Sequence, residues 1–256
     1  QVIGDIHMGD WGTQMGMLIY ELSLRAPTLP YFNKEFEGPY PKESPVTLED
    51  LQNIYPVISA KCKEDPLVAE QARLATVELQ QGRPGYRALW EHFVQVSLQD
   101  MKEQLKKLNV DFDQWFGESR YQEKIPSLLE QCIAKKLAYE SHGALVIDVA
   151  EPTDSNPIPP LVLRKRDGGF LYATTDLATI EERVNTFKAN RLIYVVDGRQ
   201  ALHFEQVFRA ANKLGFQVEC NFIGFGTMNG VDGKPFKTRA GGVMLLGDLI
   251  DMLIQE

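Results

Sequence analysis

Residues 191–200 read RLIYVVDGRQ, and the fold is decided there. Arg191 to Asp197 is a nearly continuous apolar run. A strand of that kind is expected in a parallel sheet covered on both faces, where alternation is lost because neither face meets water. The run stops at Asp197-Gly198, where the chain must turn. A helical pattern over 201–214 ends at Gly215, and another strand then reaches Gly226. Upstream, ALVIDV (144–149) is a second strand, and PLVLRKRDGGFLYAT (160–174) reads as a hairpin closed by Asp167-Gly168-Gly169. A helix with Leu177, Ile180, Val184 and Phe187 on one face follows it. This alternation predicts a doubly wound α/β half, whose ligands sit beyond the carboxyl ends of the strands.

Working outward, residues 64–140 are mostly helical. Asp65-Pro66 is a helix start, because proline in the first turn loses an N–H that has no partner there in any case. Leu67, Leu74 and Val77 form a face that ends at Gly82. A second helix carries Tyr86, Leu89, Trp90, Phe93, Leu98, Met101, Leu105 and Leu108, and a third runs from about Pro126 to Leu137. Trp90 and Phe93 fit core packing rather than a base-stacking platform. Residues 24–57, rich in Pro, Tyr and Glu, show little periodicity and are expected to be loop-rich. Residues 1–23 read as strand, glycine-rich turn and helix. Three segments result: 1–23, a first α/β part; 24–140, a largely helical insertion and connecting segment; and 141–256, a second α/β half.

Composition narrows the function. The 256 residues contain 44% hydrophobic and 24% charged side chains, ordinary for a globular protein. No apolar run reaches the roughly 18 to 20 residues of a membrane span, so no membrane partner is expected. The net charge of −8 argues against a dedicated nucleic-acid-binding domain, while leaving room for a local basic surface. Cys62, Cys132 and Cys220 lack metal-ligand spacing and cannot all pair. A reduced, cytoplasmic setting without a structural metal is expected. Residue 1 is Gln, and the last residues, Leu246 to Ile254, keep helical spacing to the end. Both ends read as cuts inside a larger protein.

Four motifs fall where strands end. HMGDWGTQMG (7–16) is either a tight structural turn or a backbone that approaches a ligand closely; it lacks the spacing of a dinucleotide fingerprint. Tyr172 and Asp176 stand four apart at a helix start. Asp176 there either binds a ligand or complements the helix dipole, with Thr174 or Thr175 as cap. In Asp197-Gly198-Arg199-Gln200, with His203 one turn on, Gln200 suits the polar end of a small substrate, though a plain capping turn reads the same. Last, DGKPFKTRAGG (232–242) packs Lys234, Lys237, Thr238 and Arg239 among glycines. That density of cations and donors suits a polyphosphate, although the Walker spacing is absent. Patterns of zinc hydrolases, serine hydrolases and Cys/His nucleophiles do not occur.

Taken together and in order, HMGDWGTQMG (7–16), GES (117–119), DGGFLYATTDLA (167–178), DGRQ (197–200) with His203, GFG (224–226) and DGKPFKTRAGG (232–242) resemble the arginyl-tRNA synthetase family of class I aminoacyl-tRNA synthetases. The resemblance covers 1–20 and 160–248 most closely. It implies a Rossmann-like, doubly wound parallel sheet split by a mostly helical insertion. It also implies activation of L-arginine by ATP, with Mg²⁺, and transfer to the 3′ end of a tRNA. By position, Glu118, Tyr172, Asp176 and Gln200 are implied as the arginine site. His203, Gly224, Gly226 and Lys234 are implied on the ATP side, and Lys237, Thr238 and Arg239 as the mobile catalytic loop. The chain departs from the family in two ways. The histidine-rich ATP motif should precede residue 1, and Asn221-Phe222 stand where the family often has His. An isolated fragment is therefore expected to be inactive. The main alternative is a non-catalytic paralogue that keeps the arginine pocket as a regulatory module. Another class I synthetase, such as one for cysteine, and a nicotinamide dehydrogenase fit the residues less well.

Overall fold

A computed structural model describes residues 1–166, 169–170, 172–227, 229 and 246–255. The chain divides into two compact units, Gln1–Gly117 with Phe236–Glu256, and Glu118–Pro235.

In the first unit, β1 (Asp5–Met8) leads through the glycine-rich turn into α1 (Thr13–Arg25). Then come α2 (Leu48–Glu64), α3 (Pro66–Gln80), α4 (Pro84–Lys107) and β2 (Gln114–Gly117). Strands β1 and β2 pair in parallel, Asp5 opposite Gln114 and Met8 opposite Gly117. Ile19, Tyr31, Ile54, Leu79, Leu89 and Phe93 fill the core between the helices. Helices α1 and α3 cross so closely at Gly16 that a Cβ there would lie 2.0 Å from Thr76 Oγ1 and 2.3 Å from the Ala72 carbonyl. Only glycine fits that crossing. Asp65 caps α3 through the Leu67 N–H at 2.8 Å, with Pro66 in the first turn, as the sequence predicts.

The loop-rich expectation for 24–57 needs correction, because α2 already begins at Leu48. Thr47 and Asp50 form a reciprocal capping box: the Asp50 N–H donates to Thr47 Oγ1 at 3.2 Å, and the Thr47 N–H to Asp50 Oδ2 at 2.8 Å. Pro56 sits inside this helix, so richness in proline did not mark a loop here.

The second unit holds α5 (Ile125–Ala134), β3 (Ala138–Ser141), β4 (Ala144–Ile147), β5 (Leu161–Arg164), α6 (Tyr172–Asn185), β6 (Arg191–Asp197), α7 (Ala201–Leu214) and β7 (Glu219–Phe225). Strands β3, β4 and β5 form an antiparallel sheet, and β6 pairs with β7 in parallel from Arg191–Glu219 to Asp197–Phe225. Leu128, Ile147, Leu163, Leu177, Ile180 and Val207 make its core. Gly215 ends α7 in the left-handed region at φ 89°, a conformation that favours glycine.

Three further expectations change. Among the described residues, the hairpin expected over 160–174 shows one bridge, between Arg164 and Phe170, with the Lys165 N–H donating to the Gly169 carbonyl. Its second arm cannot extend because α6 starts at Tyr172, and β5 pairs with β4 instead. Its expected tip residues, Asp167 and Gly168, lie outside the described residues. Neither Thr174 nor Thr175 caps α6. Both are inside it, and the buried Thr174 hydroxyl donates to the Leu163 carbonyl at 2.5 Å. Strand β6 is not buried on both faces. Leu192 is buried, whereas Ile193 and Val195 are 57% and 62% exposed. Its apolar run therefore alternates in burial though not in residue type.

Candidate functional site

In the second unit Gln200, His203, Gly224 and Gly226 lie at or just beyond the carboxyl ends of β6 and β7, and Tyr172 and Asp176 lie in the first two turns of α6. Helix α6 is fixed by its inner face: Ala173, Thr174, Leu177, Ala178 and Ile180 are buried. That leaves Tyr172 54% exposed. Asp176, one turn later, keeps its side chain only 13% exposed. A four-residue spacing puts both on one side of the helix.

Asp176 meets His203 on α7. The imidazole Nε2 lies 2.6 Å from Asp176 Oδ2. His203 was expected on the adenosine side, and its observed contact is with the carboxylate assigned to arginine. Phe204 lies edge-on to its ring at 5.1 Å. Phe204 in turn packs on Tyr194 at 4.8 Å and Phe222 at 6.0 Å. Tyr194 accepts a hydrogen bond from Arg183 Nη1 at 2.8 Å, and burial pushes its phenol pKa well above the usual range. Tyr194 and Arg183, which the sequence did not single out, thus support the carboxylate–imidazole pair from beneath.

The DGRQ segment splits into two roles. Asp197 is a capping residue: its carboxylate accepts from the Arg199 N–H at 2.8 Å and from the Arg199 guanidinium. The Arg199 contacts hold its pKa below the ordinary value. Gln200 stands at the N-cap position of α7, exposed, and its side chain makes no capping bond. The GFG segment adjoins it, with Gly224 opposite Val196 and Phe225 opposite Asp197. A Cβ on Gly224 would come within 3.1 Å of Gly198 Cα, while Gly226 has open space around it.

Glu118 opens a 3₁₀ turn, Glu118–Tyr121, that is clamped to α6. Arg120 donates to both oxygens of Glu182 at 3.2 and 3.1 Å, and Lys124 bonds the same carboxylate. Glu182 is buried. Burial alone would raise its pKa, but the hydrogen bonds from Arg120, Lys124 and Tyr121 win and hold it at about 2. This clamp was invisible in the sequence, since its members lie about sixty residues apart. The turn that Glu118 opens is therefore tethered to α6 at Glu182, six residues beyond Asp176.

In the first unit the other motif, HMGDWGTQMG, leaves the carboxyl end of β1 beside that of β2, where Gly117 lies against the Asp10 carboxylate. Lys234, Lys237, Thr238 and Arg239 lie outside the described residues. Among the described residues, no group of three or more His, Cys, Asp or Glu side chains is placed to hold a metal ion. None of the described helices is long and apolar enough to cross a membrane.

Parallel strands with glycine turns and polar helix starts at their carboxyl ends define an α/β catalytic domain of the nucleotide-binding kind. Over residues 1–256 the chain matches the family model described as tRNA synthetases class I (R), catalytic domain, and it belongs to that family. It is 53% identical over 256 residues to an arginine–tRNA ligase of Alkaliphilus oremlandii, and 51% identical over 258 residues to one of Agathobacter rectalis. The alignments take in 99% and 100% of this chain but only 44% and 43% of those relatives' lengths. Among solved structures, the arginyl-tRNA synthetase of Plasmodium falciparum is similar with a TM-score of 0.68 at 24% identity, over 88% of this chain and 36% of that one. The Thermus thermophilus arginyl-tRNA synthetase gives 0.68 at 16% identity, over 100% of this chain and 46% of that one. At those identities the two structures speak to the fold, which is the class I catalytic fold the sequence implied.

Proposed function

We propose that the protein of which this chain forms the catalytic region activates L-arginine with ATP and charges its tRNA with it. The arginine carboxylate attacks the α-phosphorus of ATP, pyrophosphate leaves, and the 3′-terminal ribose of the tRNA then takes the arginyl group and releases AMP. Family membership supports the reaction. The observation that carries the substrate is the placement of Asp176, a largely enclosed carboxylate one turn beyond Tyr172 on the same side of α6.

A guanidinium presents a planar fork of donors, which a carboxylate meets with two parallel hydrogen bonds. Lysine offers a point charge and no fork. In this reading Asp176 takes the fork, Tyr172 and Glu118 flank it, and Gln200 faces the amino-acid end. Gly224 and Gly226 leave the strand ends low enough for adenosine. Lys234, Lys237, Thr238 and Arg239 would stabilise charge on the phosphates as pyrophosphate departs. Mg²⁺ would travel with the phosphates of ATP, since it dehydrates reluctantly and is often held through substrate oxygens. The cysteines form no disulfide, which suits a cytoplasmic enzyme.

The test is a calorimetric titration of the full-length protein with arginine, lysine and citrulline, paired with ATP–pyrophosphate exchange in the presence of tRNA. Arginine should bind, and the analogues should be weaker by at least about a hundredfold, because they leave pocket groups without partners. Exchange should depend on arginine. Binding without exchange would point to the regulatory arginine module, and equal affinity for citrulline would overturn the pocket.

A further inference from the structure

We propose that His203 is a positioning residue of the arginine pocket, holding one oxygen of Asp176 so that the carboxylate presents a fixed plane to the guanidinium. The inference rests on the arginine reading of that pocket. Its observation is the 2.6 Å contact between His203 Nε2, in the first turn of α7, and Asp176 Oδ2, at the start of the second turn of α6. An ionised carboxylate only accepts, so the proton in this bond belongs to the imidazole, which fixes the tautomer with Nε2 protonated.

The terminal torsion of an aspartate is broad and roughly two-fold, so an untethered carboxylate samples many planes. Fork-to-fork recognition needs one plane. A donor on Oδ2 removes that freedom. Each carboxylate oxygen has about two lone-pair sites, so Oδ2 can accept from His203 and still receive one guanidinium N–H while Oδ1 receives the other.

The histidine is itself held. Phe204 meets its ring edge-on at 5.1 Å and is buried against Tyr194 and Phe222. Tyr194 is pinned by Arg183, which belongs to the same helix as Asp176. A support chain therefore runs from α6 through β6 to α7 and back to the carboxylate. Rigid support of this kind lets a site keep the small tolerances that recognition requires.

The experiment measures kcat and the KM values for arginine and ATP in tRNA-dependent pyrophosphate exchange by the full-length protein. The variants are His203→Ala, His203→Gln and Asp176→Asn. His203→Ala should raise the arginine KM about tenfold, the size of one charge-assisted hydrogen bond, with kcat and the ATP KM held within about twofold. His203→Gln places an amide N–H near the Nε2 position and should recover most of the loss. A rise in the ATP KM instead, an unchanged arginine KM, or tighter arginine binding would each overturn the assignment; the last would make His203 a competitor for the carboxylate. If Asp176→Asn weakens arginine and His203→Ala does not, this inference alone fails. If Asp176→Asn leaves the arginine KM unchanged, the arginine reading fails and takes the inference with it.

Discussion

The indole Nε1 of Trp90 donates a hydrogen bond to the backbone carbonyl of Asp10 at 2.7 Å. Beside it, Gln80 Nε2 donates to the Trp11 carbonyl at 3.0 Å, the rings of Trp11 and Trp90 meet edge-on at 5.1 Å, and the Arg87 guanidinium lies over Trp11 at 4.4 Å. The glycine-rich turn after β1 is thus held from α3 and α4. A turn at a strand end has few ladder bonds of its own, and its carbonyls need donors from elsewhere.

Replacing Trp90 with Phe keeps most of the apolar contact and removes the donor. Stability should fall by about 1 to 2 kcal/mol, the usual loss when an acceptor is left without its partner. Hydrogen exchange over residues 9–12 should speed up more than in the cores of α1 and α3. Unchanged exchange in that turn would show that Trp90 matters only for packing.

Gly16→Ala tests the crossing of α1 and α3. The added methyl would sit 2.0 Å from Thr76 Oγ1 and 2.3 Å from the Ala72 carbonyl. The hydroxyl can rotate away; the carbonyl is backbone and moves only with α3. Overpacking of this kind costs about 1 to 3 kcal/mol, and a lower urea midpoint should report it. Adding Thr76→Ala should recover only part of the loss, because the clash with Ala72 remains. Full recovery would mean the helices separate more easily than this geometry implies.

Glu182 makes stability depend on acid. Its folded pKa of about 2 lies below the ordinary value of 4.5. A depressed carboxylate contributes stability that is complete above the unfolded value and is lost as the pH falls through the folded one. The loss should therefore run from about pH 4.5 to pH 2. Glu182→Gln should flatten that limb of a urea-midpoint profile and lower stability near pH 7 by about 2 kcal/mol; Arg120 and Lys124 are about half exposed, so both can turn to water and limit the loss. A variant with the wild-type acid limb would assign it to other carboxylates.

The parts of the fold that were legible were local. Asp65-Pro66 starts a helix and Gly215 ends one because each acts on its own backbone. RLIYVVD forms a strand with DGRQ at its end because a β run and a turn are local properties. Burial of that strand was not legible: Ile193 and Val195 have the same apolar chemistry as Leu192, and only the helices packed on one side decide which is covered. The candidate site divides in the same way. Tyr172 and Asp176 share a helix face by spacing alone, whereas the bond from His203 to Asp176 and the clamp of Arg120 and Lys124 on Glu182 join separate elements. No local period encodes such a partner.

The capping box of α2 was legible in principle, since Thr47 and Asp50 have the required spacing, and its energy can be measured. The Asp50 carboxylate accepts from the Thr47 N–H at 2.8 Å and from the Thr47 hydroxyl at 2.7 Å, and these bonds hold its pKa below the ordinary value. Thr47→Ala removes the acceptor for the Asp50 N–H and should cost about 1 kcal/mol. Asp50→Ala leaves the Thr47 N–H without its acceptor and should cost a similar amount. Because the two side chains work as one reciprocal unit, the double variant should lose less than the sum of the singles, with a coupling of at least about 0.5 kcal/mol. Strict additivity in thermal melts would mean that the two residues cap the helix independently. The start of α2 at Leu48 would then rest on the burial of Leu51 and Ile54 rather than on the cap.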